Sequence, residues 1–128
     1  MSQSPSAGVA WFRPVWGYGH YALFASAAAT GAGLAVNVAR AEGHGTLTDE
    51  QAAATYTVPV AVFIAMVRLL HRHPSRTSAP ADIVHLAAVL AVLAATCTAV
   101  PVLSTGIIAA LLITATVVMA GRDAARQP

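Results

Sequence analysis

The sequence contains no lysine, a single cysteine and little charge of either sign: Asp, Glu, Lys and Arg make up 9% of 128 residues, against 57% hydrophobic. So few charges cannot cover that much apolar surface in water, which excludes a water-soluble domain and points to an integral membrane protein. Cys97 stands alone within an apolar run, so no intrachain disulfide forms and a buried, inert thiol is expected. The interiors of the apolar runs hold no Asp, Glu or Lys. A proton-coupled transporter commonly relies on such a group, so that class is disfavoured. No nucleophile, base and acid grouping, phosphate-cradling glycine loop or extramembrane stretch long enough for a catalytic domain is visible, and no enzyme is expected. The net charge of +2 and the pI near 9.2 come from arginines scattered between apolar runs. That distribution reads as membrane topology rather than nucleic-acid binding.

What is present is a series of uncharged stretches. The chain is organised around Trp16 to Val38, which carries no formal charge and at about 1.5 Å per residue is long enough to cross a bilayer core. Its middle, Ala25 to Gly33, holds only Ala, Ser, Thr and Gly, so another helix can approach closely. Ala27, Gly31 and Ala35 repeat small residues at i, i+4 and form the expected packing face, used either within the chain or against another one. Residues 1–15 read as a disordered cytoplasmic tail. A rival reading, a signal peptide cleaved near Ala39 to Ala41, is disfavoured by the long apolar region and the lack of a basic start.

Arg40 to Leu47 reads as a turn, with Gly43 and Gly45. Thr48 followed three residues later by Gln51 matches a capping box, and Asp49 and Glu50 suit a helix N-terminus. The second span, 52–70, contains Pro59, which cannot donate to the Thr55 carbonyl; a kink is expected there, with Thr55 and Thr57 serving the freed backbone group. After a basic loop, Pro80 and Asp82 mark another helix start. The third span is expected at 83–100. Pro101, Ser104, Thr105 and Gly106 interrupt the apolar run, leaving 107–120 as a short fourth span and 122–128 as a cytoplasmic tail. Arg13, Arg68, Arg72, Arg76, Arg122 and Arg126 fall on one side and Arg40 on the other. The positive-inside rule then places both termini in the cytoplasm. The fold expected is all-α, a polytopic membrane protein of four transmembrane helices in an up-down bundle. Abundant Ala, and Arg without Lys, suit a GC-rich bacterial genome, and a bacterial cytoplasmic (inner) membrane is the expected location.

The order of signals resembles the C-terminal quarter of the bacterial low temperature requirement A family. The matching features are Tyr18-Gly19-His20-Tyr21 leading into a span, Gly31 and Gly33 in its middle and a loop holding His44. A second span ending in Arg68 and a basic loop follows, then a two-span apolar hairpin; the resemblance covers roughly residues 13–122. It implies a polytopic membrane protein, and members look much longer than this chain. Tyr56 to Pro59 stands where that family would have a glycine-rich stretch.

Histidine offers the main alternative chemistry. His20 and His85 each lie about one turn into helices expected to run parallel and diagonal across a bundle, where two imidazoles would ligate haem iron axially. The plainer reading makes His20 an interfacial ring and pairs His85 with Asp82, three residues earlier. His71 and His73, at i, i+2, do not share a helix face and lack further ligands, so no metal site is expected. Arg68, Arg72 and Arg76 read as a cytoplasmic interface, with Arg68 snorkelling to headgroups. Asn37 reads as an interfacial amide. The leading expectation is a non-catalytic membrane protein acting through helix packing, as a homo-oligomer or as an accessory subunit of a larger complex, without a cofactor. A bis-His haem redox protein and a small oligomeric transporter with a pathway along the Pro59 kink are the alternatives.

Overall fold

A computed structural model describes residues 7–71 and 79–125, with side chains from Gly17 onward. Among the described residues there are four α-helices, α1 (Ala7–Ala41), α2 (Asp49–His71), α3 (Ala79–Ala94) and α4 (Pro101–Ala125), with a 3₁₀ turn at Ala95–Cys97 after α3. The stretches Gly17–Ala41, Asp49–His71, Ala79–Cys97 and Pro101–Ala125 are all long and apolar enough to cross a membrane. The protein is therefore a four-span, all-α membrane protein.

The ends of these helices follow local chemistry. After α1, the His44 N–H donates to the Ala39 carbonyl (2.8 Å) and the Gly43 N–H to the Arg40 carbonyl (3.0 Å), the paired bonds of a Schellman cap. Gly43 takes φ +80° there, a conformation that costs glycine nothing. At α2 the capping box forms as its spacing predicts: the Gln51 N–H donates to Thr48 Oγ1 (3.3 Å) and the Thr48 N–H to Gln51 Oε1 (3.1 Å). α2 then runs through Pro59 without interruption.

Several boundaries differ from those expected. The described helix α1 starts at Ala7 rather than Trp16, in a segment that composition alone marks as a tail. α3 gives way to the 3₁₀ turn at Ala95, and Thr98 is extended (φ −92°, ψ 157°). Pro101 does not interrupt a span but opens α4 at its first position, where the missing N–H costs nothing. The fourth span is consequently 25 residues long rather than short. Cys97 lies in this turn and is exposed rather than buried.

α2 is the hub. Among the described residues α1 packs extensively on α2 alone, while α2 also packs on α3, α4 and the 3₁₀ turn. The apolar core forms between α2, α3 and α4, where Ala61, Ile64 and the fully buried Val92 meet Val60, Val89, Ile108 and Leu112. Around it the outward residues are large and apolar, among them Leu86, Leu90, Leu103, Ile107, Leu111 and Val117. An apolar exterior of this kind is what hydrocarbon solvates and water does not. Tyr18 and Tyr21 are also exposed, at the level where the first apolar span begins, as interfacial aromatics are.

Candidate functional site

The seam between α1 and α2 depends on one glycine. An ideal Cβ placed on Gly33 would stand 2.0 Å from the Thr55 carbonyl oxygen and 2.8 Å from the Tyr56 nitrogen, so no side chain fits. Adding a C–C bond of about 1.5 Å puts Gly33 Cα within about 3.5 Å of that oxygen, the range of a Cα–H···O contact. The Thr55 carbonyl is the one that Pro59, lacking an N–H, cannot serve. A polar group set free by a proline in α2 thus meets the α1 backbone at the residue that lets it approach. Threonine was expected to take this role. Instead Thr55 Oγ1 donates to the Ala52 carbonyl (2.7 Å), and Thr57 Oγ1 donates to the Ala53 carbonyl (3.1 Å).

The same seam holds further polar contacts. Asn37 Nδ2 donates both to the Gly33 carbonyl (2.8 Å) and across the seam to the Ala52 carbonyl (2.7 Å), so Asn37 links two helices rather than merely facing the interface. On the other side of α2, the fully buried Thr57 hydroxyl lies 2.7 Å from that of Thr96. In apolar surroundings these bonds fix the rotation of each helix. Thr105 is buried beside α4's first turn, and its Oγ1 has no hydrogen-bond partner.

The buried stripe of α1 is therefore Gly19, Ser26 and Gly33, spaced by seven residues. Ala27, Gly31 and Ala35, the stripe the i, i+4 spacing singles out, are all exposed, and no atom lies within 4 Å of a Cβ built on Gly31. Among the described residues none of the three is buried against another helix of the chain. The reason is rotational: small residues surround α1 so evenly that either stripe fits a helix interface. The seven-residue repeat, together with the proline in the next helix, is the signal that picks the correct one.

At the opposite end of α2, Arg68 has a protein partner that its reading as a lone interfacial side chain leaves out. Its Nε and Nη2 both reach Asp82 Oδ1 on α3, at 2.7 and 2.6 Å, and the two side chains are 18% and 31% exposed. Paired charges cost less to bury than single ones, which is why the pair stands where a lone Arg would reach for headgroups. His85 Nδ1 lies 2.8 Å from the Ala81 carbonyl oxygen, while Asp82 goes to Arg68. Arg68, Asp82 and His85 line a cavity of about 320 Å³ between α2 and α3. His20 is on α1, which makes no extended contact with α3 among the described residues. His20 and His85 thus lie on helices that do not pack extensively on one another. His71 Nδ1 lies 2.7 Å from the Val67 carbonyl oxygen, and the described residues hold no group of three His, Cys, Asp or Glu placed to bind a metal. Arg72, Arg76 and His73 lie outside the described residues.

A larger cavity, of about 860 Å³, opens where α1 ends, α2 begins and the 3₁₀ turn leads into α4. Asn37, Arg40, Asp49, Glu50 and Thr96 supply polar lining, and Val100 to Leu103 an apolar wall. Arg40 Nε donates to Asp49 Oδ1 at 2.9 Å, joining two of the lining residues. The two cavities sit at opposite ends of α2, so α1, α2 and α3 alternate in direction as an up-down arrangement requires.

A sequence model of the bacterial low temperature requirement A protein matches residues 2–120, nearly the whole chain. No curated protein and no solved structure matches it.

Proposed function

The chain belongs to the bacterial low temperature requirement A family, and from that premise we propose that it is a non-catalytic membrane protein acting through helix packing. In this reading α1 joins the chain to a helix outside it, either that of a second copy or that of a larger membrane complex to which this chain is an accessory subunit. One observation carries the reading. α1 packs on α2 by one face only, and its other face presents Ala27, Gly31 and Ala35 to the surroundings. Lipid gains nothing from small residues, whereas a helix backbone brought close to them gains van der Waals contact. The same helix shows what such an approach looks like, since Gly33 already receives α2 in this way.

The remaining features fit this role. A bacterial inner membrane with both termini in the cytoplasm places Arg68, Arg122 and the basic loop on the cytoplasmic side and the Arg40–Asp49 pair on the other. The test is the native mass of protein extracted gently from its own membrane. The wild-type chain is expected in an assembly heavier than one copy, and Gly31→Leu is expected to reduce it to the single chain with helix content unchanged. An assembly of the same mass in Gly31→Leu would remove the role given to this face.

A further inference from the structure

We propose that the larger cavity is a binding site for a zwitterion carrying an anionic group and a primary amine, and that its occupant is the phosphoethanolamine headgroup of a membrane lipid. The inference follows from what each polar side chain still has to offer. Arg40 lines the cavity, and its bond to Asp49 uses Nε; the terminal amino groups remain as donors for a phosphate, which guanidinium recognises well. Asn37 spends both protons of Nδ2 on the carbonyls of Gly33 and Ala52, so only its carbonyl oxygen is left, an acceptor. Glu50 is a lining residue beside Asp49, and its carboxylate is within side-chain reach of the cavity. The site therefore combines one cation with an excess of acceptors. A simple anion would meet two carboxylates, and a simple cation would meet the guanidinium; a molecule with both charges satisfies each group.

The surroundings favour a lipid as the source. The cavity lies at the ends of α1 and α2, at headgroup depth for helices that span. Its apolar wall, Val100 to Leu103, continues into the exposed Leu103 and Ile107 of α4, a surface along which acyl chains lie. Its volume of about 860 Å³ falls within the range of about 300–1,000 Å³ common for small-ligand sites. A phosphocholine headgroup lacks the N–H donors that Asn37 and Glu50 call for, and a phosphoglycerol headgroup lacks the cation.

The full-length chain, equilibrated in mixed bilayers of equimolar phosphatidylethanolamine, phosphatidylcholine and phosphatidylglycerol, is examined for retained lipid by native mass spectrometry. Retention of phosphatidylethanolamine severalfold above each of the others is expected. Arg40→Gln lowers that retention severalfold, and Glu50→Gln abolishes the preference over phosphatidylglycerol. Water-soluble phosphoethanolamine at millimolar concentration leaves the retained lipid in place if the acyl chains contribute; displacement by it would keep the recognised chemistry and overturn the lipid as its source. Equal retention of the three lipids overturns the site. So does a preference unchanged in both variants, provided each keeps wild-type helix content and melting temperature.

Discussion

At the scale of single residues, the glycines of α1 are not equivalent, although they sit in the same uncharged run. Gly33 meets backbone, which cannot move aside, whereas Gly19 meets the tip of Leu70, which can, and Gly31 meets nothing. Gly33→Ala is therefore expected to destabilise the chain by about 1–3 kcal/mol, as overpacking does. In the dissociated single chain, Gly31→Ala should be neutral or stabilising by up to about 1 kcal/mol, since there it removes a flexible helix residue without a clash. Denaturant titration of both variants in the same detergent checks the ordering, and equal losses would contradict the packing assigned to Gly33. Arg68 and Asp82 make a second case. Their pair is only partly exposed, so Arg68→Gln should cost on the order of 2 kcal/mol, between exposed and buried pairs. Adding Asp82→Asn should restore part of that loss, because the unpaired carboxylate is then removed. Two fully additive losses would mean that the ion pair adds no coupling.

At the scale of elements, the signals that proved legible were local ones. Thr48 and Gln51 lie within one turn and cap α2 whatever the rest of the chain does, so Thr48→Ala should cost about 1 kcal/mol and fray the first turn. Hydrogen exchange confined to residues 49–52 would show it. The existence of four spans was legible for the same reason, because length and hydropathy are properties of a segment alone. Boundaries near proline were harder. Pro101 ends one segment and opens the next with equal local plausibility; the chain has already left helical geometry at the extended Thr98, and α4 opens at Pro101. Least legible was the rotation of α1, apolar or small on every side. Which stripe is buried depends on Pro59, one helix away, whose freed Thr55 carbonyl is met at Gly33. The partner of Arg68 is likewise not a local signal, because Asp82 lies 14 residues on, on the next helix.

At the scale of the whole molecule, α2 ties together two unequal parts. On one side α3 and α4 close an apolar core around Val92; on the other α1 attaches through a polar and glycine-lined seam and keeps its far side uncovered. A chain built to stand alone in lipid has no need for a second small-residue face, and the proposal that α1 engages another helix rests on this asymmetry. The most direct test is disulfide cross-linking in native membranes, with Cys97→Ala as the background and single cysteines introduced by Ala27→Cys, Gly31→Cys and Ala35→Cys. Ser26→Cys, on the face buried against α2, is the control. Gly31→Cys, with Ala27→Cys or Ala35→Cys, is expected to give a product of twice the chain mass or a defined adduct with one other membrane protein, while Ser26→Cys gives neither. Uncross-linked single chains at all three outward positions, under oxidation that fully links a known membrane dimer, would contradict the proposal.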